Sequence, residues 1–167
     1  MKKIVLGLML LSPVSFADNL SFVGADYFRI SGFGESVDGY RLSAMNVFSG
    51  KTAVGLSYIR VSENGVSADV TALNADYAFG SFNDGSFYIG GSVQDSDAGS
   101  DAGVAIGYAK ISGEGLDFNV SVAHVDGESA LGVVLRGPLG DSGLGWNLGA
   151  STDGDLSSQS AGINFKF

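Results

Sequence analysis

The chain of 167 residues contains no cysteine, two prolines and one histidine. Without cysteine it can form no disulfide, no thiolate metal site and no cysteine nucleophile. Lysine and arginine are also few, since nine of them stand against 18 aspartates and glutamates, which gives a formal charge of −9. A nucleic-acid partner is therefore not expected, because binding a phosphate backbone needs a basic face.

Glycine is abundant by contrast. The chain has 26 glycines in 167 residues, roughly twice the average usage. The hydrophobic fraction of 45% argues against intrinsic disorder, and the scarcity of proline argues against a flexible linker. At this length the chain is expected to form one domain.

The first 17 residues have the pattern of a secretory signal peptide. Lys2 and Lys3 precede the apolar run of residues 4–11, and the small residues Ser15 and Ala17 occupy the −3 and −1 positions of a cleavage site. We expect this segment to be removed, which leaves residues 18–167 as a single domain. No later run approaches the ~18 apolar residues that a spanning helix needs, so a membrane location would require strands.

From residue 18 onward, apolar residues alternate with small or polar ones, and a period of two predicts strands. The clearest example is the sequence LGWNLGAS at residues 144–151. Clusters of Gly, Asp, Asn and Ser separate such runs and indicate turns. The predicted strands are 20–31, 37–48, 52–62, 66–80, 86–95, 101–112, 116–126, 129–136, 143–152 and 157–167. An eight-stranded alternative applies if the two weakest predictions, 37–48 and 129–136, fail.

Two all-β folds are compatible with this pattern, a soluble sandwich and a transmembrane barrel. The second face of the strands is rich in Gly, Ser, Ala and Asn, and a small closed barrel needs small inward side chains. Strands of about 9–11 residues also suffice to cross a bilayer when they are tilted. We therefore predict an all-β fold, a closed antiparallel transmembrane β-barrel of about ten strands in an up-and-down meander.

Aromatic residues are predicted to form two belts, as they do at the two interfaces of such a barrel. The first belt contains Phe48, Tyr77, Phe79, Phe87, Tyr108, Trp146, Phe165 and Phe167. The second contains Tyr27, Tyr40 and Tyr58.

The last strand places Ile163, Phe165 and Phe167 on one face, and the chain ends on that aromatic residue. This ending resembles the closing strand of small bacterial outer-membrane barrels of the OmpA/OmpX or porin-like type. The resemblance implies that these three residues form the signal read by the barrel assembly machinery. It also implies export through the Sec route to the outer membrane of a Gram-negative bacterium. The partners would then be membrane lipids and lipopolysaccharide, with both barrel termini in the periplasm.

Six charged residues fall on the inward face of the predicted strands, which makes them candidates for lining the lumen. They are Asp26, Arg41, Asp76, Asp117, Arg136 and Lys166. If opposite charges pair, they close the barrel and are structural, whereas unpaired charges would line a thin aqueous path and tune its ion selectivity. The leading function is therefore a non-enzymatic porin-like barrel, either a narrow diffusion pore or a structural membrane component. Asn46 and Asp69 do not fit the alternation.

Acidic residues concentrate in the connections that the resemblance places outside the cell. The candidate outer-loop acids are Asp95, Asp97, Asp101, Asp153 and Asp155. Carboxylates suit Ca²⁺, but the EF-hand spacing is not met, so neither a metal site nor a cofactor is expected. The alternative function is a surface interaction protein whose acidic loops bind cations, lipopolysaccharide or a host ligand.

The single histidine, His124, is the only candidate base for hydrolysis. Small barrels that cleave lipid A use a His-x-Ser pair, and here the sequence is His124-Val125-Asp126, so the nucleophile is absent from that position. A serine from another strand, such as Ser62 or Ser129, would have to replace it. A lipid hydrolase using His124 is accordingly the third hypothesis, and no enzyme activity is expected.

Overall fold

The computed structural model describes residues 21–32, 35–48, 50–63, 66–97, 99–110 and 115–167. The predicted signal peptide lies outside the described residues. The strands are β1 (Phe22–Gly32), β2 (Glu35–Phe48), β3 (Thr52–Glu63), β4 (Val66–Phe82), β5 (Gly85–Ser96), β6 (Gly99–Lys110), β7 (Asp117–Val125), β8 (Glu128–Pro138), β9 (Leu144–Thr152) and β10 (Leu156–Lys166).

The ten strands form a closed barrel in which each strand pairs antiparallel with the next along the chain. The barrel closes where β1 pairs with β10, from Phe22 opposite Lys166 to Gly32 opposite Leu156. We call the end where β1 begins and β10 finishes the terminal end, and the other the opposite end. The predicted ten-stranded meander is confirmed and the eight-stranded alternative is wrong, since both weakly predicted segments form full strands.

The connections are short because the turns contain residues suited to tight hairpins. Asp126 and Gly127 join β7 to β8 with φ of 50° and 85°, and an Asp-Gly pair with positive φ forms the favoured two-residue hairpin turn. Asn83 and Asp84 do the same between β4 and β5, with φ of 47° and 61°. At the opposite end, each connection contains only two or three residues.

Burial alternates along the strands with the period of two that the sequence predicts. On β1, Phe22, Asp26 and Phe28 are buried, whereas Val23 and Tyr27 between them are exposed. The exposed residues form an apolar outer surface, on which aromatic residues of neighbouring strands contact one another. Phe87 and Tyr108 lie 5.1 Å apart between ring centroids, and Tyr108 and Phe118 lie 5.7 Å apart.

Among the described residues, no helix is long and apolar enough to cross a membrane.

The inward glycines explain how large side chains fit inside so narrow a barrel. In several register pairs a large or polar side chain faces a glycine on the next strand, as Asp26 faces Gly162 and Phe28 faces Gly39. A Cβ added at the glycine would lie less than 3.0 Å from that side chain. The same arrangement occurs in the pairs Asp76–Gly90, Asn74–Gly55, Tyr88–Gly107 and Asn164–Gly145. Large inward side chains therefore lie flat across glycines of the wall.

Candidate functional site: the barrel interior

The interior has three apolar clusters, one near the terminal end and two near the opposite end, with a polar layer between the two ends. Near the terminal end, Phe22, Met45, Val47, Ala53, Ala78, Tyr88 and Ala109 pack together. Near the opposite end, the second cluster consists of Phe28, Ile30, Ile59 and Val70, with Val61 and Leu156 against it. The third, at the same end, consists of Ala123, Val125 and Ala130, with Ala105 against it. Between these clusters the inward positions of β2 and β3 carry small or polar residues such as Ser43, Gly55 and Ser57. The long polar side chains of the interior must therefore fill the space that these small residues leave.

Asp26 and Arg41 form an ion pair in this polar layer. They are register partners on β1 and β2, and Nε and Nη2 of Arg41 donate to Oδ2 of Asp26 at 2.8 and 2.6 Å. Their side chains are only 2% and 5% exposed. Each charge has left water and is compensated mainly by the other, so the two residues depend on one another in the fold.

A second group of charges closes the terminal end. Nζ of Lys166 on β10 donates to Oδ2 of Asp117 on β7 at 2.8 Å, although β8 and β9 separate these strands in the barrel. Arg136 is the register partner of Asp117 on β8, and its guanidinium carbon lies 5.4 Å from the centroid of the Phe22 ring. The four residues come from β1, β7, β8 and β10, so they link distant walls across the mouth of the barrel.

Asp76 is a further buried charge of the interior, on β4. Nδ2 of Asn74 donates to its Oδ2 at 2.9 Å, and the carboxylate packs against Gly90. With Asp76, the six predicted residues comprise three acids (Asp26, Asp76 and Asp117) and three bases (Arg41, Arg136 and Lys166). The predicted set is therefore formally neutral, 3 − 3 = 0.

All six residues predicted to face inward do so in the structure. Asp26, Arg41, Asp76, Asp117 and Arg136 are 3–6% exposed, and the Lys166 side chain, at the mouth, is 24% exposed. A water-filled channel would leave such side chains accessible to solvent. The five buried charged side chains are instead packed against other residues of the barrel.

Sequence reasoning did not single out a further inward pair, Tyr88 on β5 and Asn119 on β7. The Tyr88 hydroxyl donates to Oδ1 of Asn119 at 3.2 Å, and Nδ2 of Asn119 lies 3.0 Å from the same hydroxyl. Both residues are about 1% exposed. The alternation assigns each of them to the inward face, but only the pairing of β5 and β7 with β6 brings the two side chains together across Gly107.

The two residues that did not fit the alternation face outward and have partners there. Ser21 Oγ donates to Oδ1 of Asn46. Asp69 lies opposite Arg60, with 3.6 Å between its Oδ1 and Nε of Arg60. Each of these two outward polar side chains therefore has a polar partner, Asp69 on the adjacent strand and Asn46 at the residue that precedes β1.

The connection between the predicted strands 86–95 and 101–112, to which Asp95, Asp97 and Asp101 were assigned as outer-loop acids, is shorter than predicted. Pairing of β5 with β6 continues to Ser96 opposite Gly99, so Asp95 and Asp101 belong to strands. The hairpin closes this far because Gly99 adopts a φ of 126°, which side-chain-bearing residues rarely adopt. Ser100 Oγ donates to Oδ1 of Asp95 at 2.7 Å, and Asp97 remains in the turn.

Asp153 and Asp155 lie in the connection from β9 to β10, as predicted from the turn pattern. Oδ1 of Asp153 accepts hydrogen bonds from the backbone N–H groups of Asp155 and Leu156, at 3.0 and 2.7 Å. This carboxylate therefore has a role in shaping the turn. Within the described ranges, no three His, Cys, Asp or Glu residues are grouped so that they could hold a metal ion.

His124 lies on the outer face of β7, opposite Ser129 of β8. Its Nδ1 is 2.9 Å from Oγ of Ser129, so the structure pairs the histidine with one of the two serines that the sequence offered. In the described part of the chain, Ser129 is the only hydrogen-bond partner of His124. A hydrolytic triad needs a third group that orients the base, and this pair has none.

Ile163, Phe165 and Phe167 all face outward, with 54%, 45% and 68% exposure. The chain end is held to the strand neighbours, because the Phe167 N–H donates to the Ser21 carbonyl at 3.0 Å and the Lys166 N–H donates to the Gly143 carbonyl at 2.8 Å. Their role as an assembly signal stays a prediction.

Comparisons with known proteins add to this picture at the level of the fold. No family model matches the chain, and no curated protein matches it. Among solved structures, the KdgM porin in complex with disordered oligogalacturonate is similar, with a TM-score of 0.57, 11% identity and coverage of 87% of this chain and 99% of that one. The KdgM porin alone gives a TM-score of 0.56 with the same identity and coverage. The chain thus has the fold of outer-membrane β-barrels of the porin-like class.

Proposed function

We propose that this chain is a non-enzymatic, porin-like β-barrel of the outer membrane of a Gram-negative bacterium, exported through the Sec route. The outer surface supports this proposal, because exposed apolar residues such as Leu56, Leu73 and Ile106 surround the barrel. A closed barrel satisfies its backbone hydrogen bonds internally, which a lipid environment requires. In this orientation the terminal end faces the periplasm, where the assembly machinery would read Ile163, Phe165 and Phe167.

The barrel serves as a structural component of the membrane and not as a permanently open pore. The observation that carries this choice is the buried Asp26–Arg41 pair, which occupies the polar layer between two apolar clusters. A barrel of about eight strands is just filled by side chains, and wide channels need many more strands. Ten strands are closer to the first case, which supports closure by side chains such as Asp26 and Arg41.

The proposal is tested by reconstituting the purified protein into planar lipid bilayers. We expect insertion without defined conductance steps, because the Asp26–Arg41 pair is buried in the polar layer of the interior. Stable, reproducible channel openings by the wild-type protein would overturn the structural role. A protein that stays dissolved without detergent, and migrates identically on gels with and without boiling, would overturn the membrane proposal as a whole.

A narrow diffusion pore is the second candidate, and the likeness to the KdgM porin favours it. That structure is of a porin in complex with disordered oligogalacturonate, and an elongated anionic solute of that kind would need a continuous basic path. In the present chain, the interior bases Arg41 and Lys166 are each bound to an aspartate. A pore would therefore require these pairs to separate, and the conductance measurement distinguishes the two candidates.

The alternative of a surface interaction protein has less support. The connections at the opposite end contain two or three residues each, so the acids Asp97, Asp153 and Asp155 stand on turns too short to form a broad binding surface. Binding of lipopolysaccharide stays a proposal, and a different part of the outer surface is better suited to bind a lipid than these turns are.

A further inference from the structure

Seven outward-facing side chains of β1–β4 form a polar and aromatic patch near the opposite end of the barrel. We call it the rim patch; it contains Tyr27, Arg29, Asp38, Tyr40, Tyr58, Arg60 and Asp69. Arg29 lies opposite Asp38, one outward position beyond the facing tyrosines Tyr27 and Tyr40. On the next strands, Tyr40 faces Arg60, which in turn faces Asp69. On β1, β2 and β3, the charged residue thus lies one outward position beyond the tyrosine of the same strand.

The distribution of cationic residues is what sets this patch apart. Seven lysines and arginines lie in the described part of the chain, and three of them (Arg41, Arg136 and Lys166) face the interior. Lys51 and Lys110 lie at the terminal end, in the turn after β2 and at the last position of β6. Both remaining cations, Arg29 and Arg60, are in the rim patch. On β7–β9 the outward residues near the same end are His124, Ser129 and Thr152, none with a formal charge at pH 7.

The position of the patch fits the headgroup level of a bilayer. Tyrosine is enriched at membrane interfaces because its ring is apolar and its hydroxyl is polar. Tyr27 and Tyr40 are 56% and 44% exposed, and the rings of Tyr40 and Tyr58 are 6.4 Å apart between centroids. Charges on the lipid-facing surface of a barrel are costly at the bilayer midplane but nearly free of cost at its interfaces. The row of charges beyond the tyrosines therefore lies where lipid phosphates lie.

The arginines keep donors available for a further anion. Arg29 uses Nε and Nη2 for Asp38, at 2.6 and 2.9 Å, and a guanidinium carries five N–H donors. Arg60 uses Nη2 for Ser67 Oγ at 3.2 Å, and its Nε lies 3.6 Å from Asp69. Both side chains remain well exposed, at 58% and 41%. The aspartates hold the planar forks in place along the wall, and the fork geometry suits bidentate binding of phosphate.

We propose that the rim patch binds the phosphate group of an outer-leaflet lipid through Arg29 and Arg60. This inference rests on the membrane location proposed above and adds a specific site to it. The patch is formally neutral, with two arginines and two aspartates, so the contact is weak for a phosphate in free solution. In a bilayer the phosphate is held beside the arginines by its own acyl chains, and a weak contact suffices for occupancy.

The test is native mass spectrometry of the protein purified from cell envelopes in detergent micelles. The micelles are supplemented with phosphatidylglycerol, or with monogalactosyldiacylglycerol, a lipid of similar chain length without phosphate. The wild-type protein is expected to retain phosphatidylglycerol in preference to the galactolipid. The double variant Arg29→Gln/Arg60→Gln is expected to retain about tenfold less phosphatidylglycerol than the wild type, because two charge-assisted hydrogen-bonding groups are removed.

The matched control is Lys51→Gln/Lys110→Gln, which removes the same charge at the terminal end and should retain lipid as the wild type does. Equal retention by the Arg29→Gln/Arg60→Gln variant and the wild type would overturn the proposal, as would equal binding of the galactolipid. Displacement of the lipid by millimolar inorganic phosphate would assign the site to free phosphate and overturn the headgroup assignment.

The gel mobility of each variant with and without boiling is recorded alongside. If the wild-type protein shows no heat-dependent mobility and needs no detergent, the membrane proposal fails. If it does show both properties and the two double variants retain lipid equally, only the rim-patch proposal fails.

Discussion

Strands β1 and β2 hold two Arg–Asp pairs that differ mainly in the face on which they lie. Asp26 and Arg41 face inward, with 2% and 5% of their side chains exposed. Three residues nearer the opposite end on each strand, Arg29 and Asp38 face outward, with 58% and 41% of their side chains exposed. Both pairs are register partners and both are joined by two hydrogen bonds of 2.6–2.9 Å. The bond lengths are therefore alike, although Arg41 binds one oxygen of Asp26 whereas Arg29 binds both oxygens of Asp38.

The environment gives these two pairs different physical roles. Inside the barrel, each charge has lost its water. Removing one partner therefore leaves the other charge buried without a counter-ion, in a medium that cannot solvate it. On the rim, water or lipid headgroups can replace either partner, and exposed ion pairs contribute little to stability. The interior pair is thus expected to hold the fold together, whereas the rim pair is free to bind an external anion. The following predictions test this contrast, from the largest expected effect to the smallest.

The largest effect is expected for Arg41→Met, which leaves Asp26 buried without its cation. The free energy of unfolding should fall by about 3–5 kcal/mol, measured by urea denaturation in vesicles with the fluorescence of Trp146 as the probe. The control is Asp26→Leu/Arg41→Met, which removes both charges and should recover much of the loss. A single variant no less stable than this double variant would contradict the role of the interior pair.

A smaller loss is expected for Gly162→Ala. The added methyl group would meet the Asp26 side chain and the Ala25 carbonyl, and overpacking of this kind costs about 1–3 kcal/mol. The matched control is Gly91→Ala on the outer face of β5, where the nearest atom to an added Cβ is 3.9 Å away. If both substitutions changed the denaturation midpoint equally, the packing of large side chains over inward glycines would not determine stability.

Lys166→Gln should have an intermediate effect, because this ion pair lies at the mouth of the barrel. The bond to Asp117 joins β10 to β7, and the lysine side chain is 24% exposed, so water can replace part of the interaction. We expect a loss of about 1–2 kcal/mol in the same denaturation assay. A loss as large as that of Arg41→Met would show that burial does not control the contribution of these pairs.

The smallest effect on stability is expected for Arg29→Gln. Because Arg29 and Asp38 are solvated on the rim, the denaturation curve should superimpose on that of the wild type. Its phenotype should appear only as lower retention of phosphate-bearing lipid in native mass spectra. A clear shift of the denaturation midpoint would show that the rim pair is structural, and the contrast with Asp26–Arg41 would then fail.

The alternation of residues predicts the inward face of this barrel well. Each of Asp26, Arg41, Asp76, Asp117, Arg136 and Lys166 was assigned inward from its position in a strand, and each is found there. This works because successive side chains of a strand point to opposite faces whatever the partner strand is. Asn46 and Asp69 could not be understood in this way, since their partners Ser21 and Arg60 lie on other segments of the chain.

Errors of the sequence-based prediction arise where strand pairing decides the outcome. The segment at 95–101 has the composition of a loop, yet β5 and β6 remain paired almost to the turn because Gly99 permits a tight hairpin. The extent of pairing depends on the register of two strands and not on the composition of either one.

The sequence by itself determined that this chain consists of ten strands with an apolar and a polar face, because alternation is a property of consecutive residues. Only the tertiary structure decided which charges meet. Lys166 and Asp117 are 49 residues apart, and Tyr88 reaches Asn119 across an intervening strand. Such contacts depend on how far each strand is shifted against the next and on the closure of β1 onto β10, which bring together the walls of the barrel that the linear chain keeps apart.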